Sequence, residues 1–197
     1  MLKYIVNGGD FRVQIEIRKM RAQDRQAVEH ICLATASAVL NSTAKMREYT
    51  LLMYNRYYTR TVTDSFVAVN SDDEPIGYIL CAPDYERYRK SFYEKELKSI
   101  RKLGMMKYFS AKSEVLSMKK RAEDYPAHLH IDILPEYQHM GIGGKLMHAL
   151  LTNLKYEGAK GVMLTVSATN KNGIAFYEKC GFTAVSHGAG IVFAMKL

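Results

Sequence analysis

Apolar residues along this chain fall into two kinds of run, one with the two-residue period of strands and one with the spacing of helices. Val13–Ile17 alternates apolar and polar residues and predicts a strand. Phe66–Val69 and Ile76–Cys81 are apolar runs on either side of Asn70-Ser-Asp-Asp-Glu-Pro75, and predict a hairpin across a turn-rich loop. His128–Leu134 is a further strand, ended by Pro135 because proline has no N–H for a ladder. Gly161–Val166 reads as a buried strand, and the chain closes on a strand pair ending at Ile191–Leu197.

Between these lie the helical patterns. Asp24 is a candidate N-cap for a helix to about Leu40, with Val28, Ile31, Cys32 and Val39 on its apolar face. A second helix is predicted over Ala44–Tyr57. Its tyrosines, Tyr49, Tyr54 and Tyr57, together with Tyr58, either line a pocket or pack with their hydroxyls at the surface. Leu146, Met147, Leu150, Leu151 and Leu154 form one stripe of a helix from about Gly143, closed by Gly158. A short helix follows Asn170 and is capped by Gly181. At the start, Met1–Ile5 and Phe11–Ile17 flank Asn7-Gly8-Gly9-Asp10, which reads either as a hairpin turn or as a frayed leader. Alternating strands and helices predict an α/β fold with a mixed twisted sheet flanked by helices, in a single domain over 1–197. Pro83–Tyr125 interrupts the pattern. Tyr85, Tyr88, Phe92, Tyr93, Leu97 and Ile100 recur at helical spacing, with Gly104 as a break. One or two helices are expected here, inserted between the third and fourth strands of this reading, as a lid or acceptor wall or as a solvated flap.

The candidate chemistry sits between His128 and Gly144. Gly141, Gly143 and Gly144 stand at the mouth of a helix, where N–H groups converge without a Cβ in the way. That is an anion site, most naturally for a phosphate. A dinucleotide fingerprint needs glycine at 146, which is Leu146, and a P-loop needs glycine at 139 and Ser or Thr at 146. What remains, Gln138-x-x-Gly141-x-Gly143, resembles the acyl-CoA pyrophosphate loop of the GNAT superfamily of N-acetyltransferases. Asn170, then Tyr177 on the following helix, then Gly181-Phe182, resembles the superfamily's second signature. The resemblance is clear over Ala127–Phe182 and weaker from Val13 onward.

The resemblance implies direct transfer of an acetyl group from acetyl-CoA, as co-substrate and without a metal, to a primary amine of a small molecule or peptide. It implies a pyrophosphate cradle from Gln138, His139, Met140, Gly141, Ile142, Gly143 and Gly144, and a strand Ile131, Asp132, Ile133 beside the pantetheine arm. The Ile133 N–H would face the developing oxyanion. Tyr177 matches the general acid and Asn170 the asparagine near the pantetheine. Some members carry a glutamate base five residues before that asparagine, where this chain has Thr165. His128, His130 and Asp132 share one face of their strand and offer substitutes. Asp132 orients His130, or either acts through water. The same row resembles part of a metallo-hydrolase ligand set, but the histidine expected after the aspartate is Ile133. A third reading is a binding module without catalysis. Tyr125-Pro-Ala-His-Leu-His-Ile-Asp is loosely similar to the acetyltransferase-like domains attached to some O-GlcNAc hydrolases.

Composition narrows the picture. The chain has 197 residues, 48% hydrophobic and 24% charged, typical of a soluble globular protein. No apolar run is long enough to span a membrane and no signal-peptide pattern is present. Cys32, Cys81 and Cys180 are scattered without metal spacing and read as reduced thiols of a cytoplasmic protein. The net charge of +8 suits a polyanionic co-substrate, and no nucleic-acid-binding motif accompanies it. The superfamily often forms homodimers, but nothing in this sequence specifies an interface.

Overall fold

The computed structural model describes residues 2–8, 11–61, 64–188 and 190–197. Its strands are β1 (Leu2–Gly8), β2 (Phe11–Lys19), β3 (Phe66–Val69), β4 (Pro75–Ala82), β5 (Ala127–Ile133), β6 (Gly161–Ser167), β7 (Thr183–Ser186) and β8 (Gly190–Lys196). They form one sheet in the order β1-β2-β3-β4-β5-β6-β8-β7. Among the described residues only β5 and β6 run parallel.

That parallel pair organises the molecule. Its ladder has only two residue pairs, Ala127↔Val162 and His128↔Met163. Beyond them β5 stays on β4 as far as Ile133, while β6 continues along β8. The two central strands therefore splay apart, and a sheet that is closed at one end opens at the other.

Alternation along β5 sends its side chains to two cores. Ala127 and Leu129 join Leu146, Leu150, Leu154 and Phe193 on one face. That face is covered by α7 (Ile142–Tyr156) and α8 (Lys171–Lys179). The opposite face is covered by α1 (Arg25–Thr35), α2 (Ala44–Tyr54), α3 (Arg56–Thr61), α4 (Tyr85–Glu94), α5 (Glu96–Leu103) and α6 (Met105–Ser117).

The mixed α/β sheet is as the sequence predicts, and several boundaries differ. The leader is a strand: β1 pairs with β2 from Leu2↔Ile17 to Gly8↔Phe11, although the turn centre at Gly9 and Asp10 lies outside the described residues. Counting β1 places the insertion between β4 and β5. It forms three helices rather than one or two, separated at Lys95 and Gly104, and it is no solvated flap. Tyr85, Tyr88, Phe92, Ile100, Ala111 and Val115 are fully buried in the second core.

Helix α1 ends at Thr35, not Leu40. The Thr35 hydroxyl donates back to the Ile31 carbonyl, Ala36 turns extended, and Val39 is 71% exposed. Asp24 does not cap α1. Its carboxylate accepts from the Arg18 guanidinium and the Arg21 N–H. The predicted helix Ala44–Tyr57 breaks at Asn55, whose buried amide donates to the Val28 carbonyl of α1. A tertiary hydrogen bond there replaces helix continuity.

Candidate active site

The splay opens into a cleft of about 990 Å³. At one end is the loop between β5 and α7. A one-turn helix at Pro135–Tyr137 carries the chain outward, and the Gln138 side-chain amide donates to the Ile133 carbonyl at 2.9 Å, fastening loop to strand. His139 and Gly141 both take left-handed conformations, with φ of 63° and 75°. Such a φ is open to glycine and costly for most other residues. Gly141 is the N-cap of α7, which begins at Ile142, so the N–H groups of the first turn are aimed out of the helix end.

The three glycines have different duties. A Cβ on Gly144 meets nothing within 4 Å, whereas one on Gly143 lies 3.1 Å from the Phe176 ring. Gly143 thus lets α7 approach α8 as well as keeping the loop bare. The Met140 side chain packs into the core beneath the loop. Every other predicted co-substrate residue lines the cleft: Ile131, Asp132, Ile133, Gln138, His139, Gly141, Ile142, Gly143, Gly144 and Asn170.

The backbone of β5 supplies the middle of the cleft. The Leu134 N–H donates to the Ile76 carbonyl of β4 at 3.0 Å. Peptide groups alternate along a strand, so those of Asp132 and His130 also face β4, while those of Ile133 and Ile131 face the gap. The Ile133 carbonyl is taken by Gln138, and its N–H is directed into the splay.

Tyr177 stands opposite, on α8. Its ring packs against Phe182 and Phe193, and Gly181, with φ of 88°, turns the chain so that the Phe182 N–H returns to the Tyr177 carbonyl at 3.0 Å. Burial raises the phenol's pKa, with the nearby Asp132 charge adding to it, so the group stays protonated at neutral pH. Asn170 is the N-cap of α8, its side-chain oxygen accepting from the Gly173 N–H at 2.9 Å. Its capping duty accompanies its place in the cleft wall.

The polar row on β5 is held together by tyrosines. The Tyr58 hydroxyl lies 2.7 Å from His128 Nε2 and 3.0 Å from His130 Nε2. The Tyr78 hydroxyl, directly across from Asp132 in the β4–β5 register, donates to Asp132 Oδ2. Asp132 therefore does not orient His130, since each has a different tyrosine partner. Nor do the three side chains converge on one point as a metal set must, because Tyr58 occupies the place where the two imidazoles meet. Desolvation pushes His128 down to about 3 and His130 down to about 4, and lifts Asp132 to about 6. Asp132 lines the cleft; His128 and His130 do not. Thr165 is exposed on β6.

Tyr78 carries no motif, and only its cross-strand register reveals it. Tyr58 belongs to the tyrosine group visible in the sequence, yet it neither lines the cleft nor reaches the surface. It is 1% exposed, with its hydroxyl turned onto the histidines.

A splayed parallel strand pair, a glycine-capped helix end beside it and a phenol across the gap define an acyl-CoA-dependent acyltransferase. Residues 35–182 match the Acetyltransferase (GNAT) family, and the chain belongs to that family. It is similar to the crystal structure of SsHAT, with 25% identity and a TM-score of 0.82, over 92% of this chain and 98% of that one. It also shares its fold with the PaiA N-acetyltransferase from Thermoplasma acidophilum in complex with coenzyme A (17% identity, TM-score 0.59, 93% and 99% coverage). A GNAT family acetyltransferase from Brucella melitensis in complex with acetyl-CoA is a further relative in fold (19% identity, TM-score 0.53, 93% and 88% coverage).

Proposed function

We propose that this N-acetyltransferase moves an acetyl group from acetyl-CoA directly to a primary amine of a small molecule or peptide, with Asp132 and Tyr177 handling the two protons. The observation that carries the reading is the shared cleft. The α7 mouth, the inward Ile133 N–H, Asp132 and Tyr177 all border one opening between β5 and β6.

The residues divide the work as follows. First-turn N–H groups of α7 and the bare backbone at Gly141 and Gly144 suit a pyrophosphate. The Ile133 N–H is a fixed donor for charge developing on a carbonyl oxygen, and a preset donor needs no reorganisation at the moment of reaction. Asp132, ionised above about pH 6, accepts the proton that the amine sheds. Tyr177, protonated across the neutral range, returns a proton to the departing thiolate. His130 is neutral at pH 7 and sits behind Asp132 as a fixed polar wall, with its Nε2 occupied by Tyr58.

The test is thiol release from acetyl-CoA across a panel of primary amines and peptide N-termini, beside calorimetric binding of acetyl-CoA. Binding together with turnover on at least one amine is expected. Binding without turnover on any amine makes the chain a non-catalytic acyl-CoA-binding module. No binding at all removes the cleft from the reading.

A further inference from the structure

The inserted helices carry a second surface that the cleft does not use. Helix α6 buries Ala111 and Val115 in the second core, and turns large apolar side chains outward. Met105 is 49% exposed, Met106 87%, Phe109 59% and Leu116 41%. Among the described residues these are half of the exposed large hydrophobics, on one helix. Met105, Phe109, Lys112 and Leu116 follow a four-three-four spacing and fall within an arc of about 60° along ~16 Å of the helix. That narrow seam, with one lysine in line, is the pattern one helix shows to another. Met106 lies further round the helix and Ser113 stands between it and Phe109, whereas a helix lying on lipid exposes a continuous apolar arc of about 100°.

Charge says what kind of helix. From Lys98 to Arg121 the chain holds eight Lys and Arg against one Glu, a net +7 within a total of +8. Among the described residues none of the eight cations is in an ion pair. The single acid, Glu114, is turned to the Tyr54 hydroxyl on another side of α6. Lys107 is turned onto Met46 and Tyr49 of α2, but a second copy of this chain would still bring another strongly basic segment against the first, so self-association through this face is opposed. Phosphate alone would leave the methionines and phenylalanine wet. Methionine side chains also adapt to a partner's shape at little cost.

We propose that the α6 face is the docking site for an acidic amphipathic helix of another polypeptide. The partner's apolar stripe covers Met105, Phe109 and Leu116, one carboxylate meets Lys112 in the seam, and flanking carboxylates face Arg101, Lys102, Lys119 and Lys120. The site lies outside the cleft, so the proposal stands or falls separately from the transfer reaction.

The experiment uses the full chain and a fluorescent helical peptide of three heptads with Leu at the seam positions and Glu on both flanks. A counterpart with Gln for every Glu is the control. Anisotropy should show saturable binding of the acidic peptide, about tenfold or more tighter than the Gln peptide, weakening as salt rises from about 0.05 to 0.3 M. M105S/F109S should lose about tenfold in affinity, the effect of removing an interface anchor. K119E/K120E should lose a similar factor and flatten the salt dependence. Both variants alter exposed residues and should keep the parent Tm and acetyl-CoA affinity. The proposal is overturned if the acidic peptide does not bind, or if both variants bind it as the parent does. It is equally overturned if vesicles of phosphatidylcholine and phosphatidylserine capture the chain through Met105 and Phe109 while the peptide does not. Sedimentation showing a dimer abolished by M105S/F109S would assign the face to self-association instead.

Discussion

At the residue scale, each side chain at the cleft has a task that a conservative change can isolate. Tyr177→Phe removes one hydroxyl and keeps the ring against Phe182 and Phe193, so packing loss should be small. The expected result is a fall in kcat of about 10²–10⁴-fold with acetyl-CoA affinity nearly unchanged. A fall of less than about threefold would remove Tyr177 from proton transfer. Asp132→Asn should abolish the acid limb of the pH–rate profile, which in the parent rises through about pH 6. The stability effect runs in the opposite direction. A carboxyl whose folded pKa is raised above its unfolded value costs stability as pH climbs through that window. The Asn variant, freed of that cost, should be as stable as the parent or more so above pH 6. If Asp132 were only a structural anchor, its Tm would drop and the profile would keep its shape. Tyr177 was legible because its spacing from Asn170 and Gly181-Phe182 is a motif. Tyr78 was not, because its meaning rests on standing opposite Asp132, and register is a property of the paired strands.

At the scale of elements, the loop and the row on β5 give two further expectations. Gly141→Val forces a branched residue into φ 75°, and should cut acetyl-CoA affinity while the helix behind it survives. Gly143→Val is different, because its Cβ meets the Phe176 ring at 3.1 Å and presses α7 away from α8. It should lose both affinity and stability, and calorimetry beside thermal melting separates the two glycines. The histidines set the response to acid. Folded His128 and His130 stay neutral down to about 3 and 4, whereas unfolded imidazoles charge near 6.5. Near pH 5 the unfolded chain therefore binds two more protons at these sites, while folded Asp132 holds one extra. The unfolded chain therefore holds the net excess of protons, and stability falls as pH drops through this range. In Asp132→Asn the opposing proton is gone, so urea midpoints should fall more steeply with acid than in the parent. The strands, the glycine loop and α7 were all legible, since periodicity and capping residues act locally. The end of α1 at Thr35 and the break at Asn55 were not. The first is a local turn, with the Thr35 hydroxyl back on the Ile31 carbonyl, that helical periodicity does not mark; the second depends on the Asn55 amide reaching Val28 on another helix, and a propensity pattern carries no trace of that partner.

At the scale of the whole molecule, the sheet separates two cores whose fates are tied through β5. One core lies under α7 and α8 beside the cleft, and the other is built largely from the insertion. A flap could be removed without harm, but this insertion contributes Tyr85, Tyr88, Phe92 and Ile100 with 2% exposure or less. Phe92→Ala should therefore cost about 3–5 kcal/mol, the range for a large aromatic lost from a packed interior. For a chain of this size that is a Tm loss of roughly 6–20 °C at about 2–4 °C per kcal/mol. Acetyl-CoA at a hundredfold excess over its Kd should restore about 2.7 kcal/mol, because it binds only the folded state. Partial rescue of the Phe92→Ala melting temperature by acetyl-CoA is thus the expected outcome. It would show that the insertion and the cleft belong to one cooperative unit, joined through the strand whose one face carries both Asp132 and the Tyr58-bound histidines. If Phe92→Ala melts in two steps, and acetyl-CoA raises only the upper one, the two cores unfold independently and the insertion is a separate module resting on the sheet.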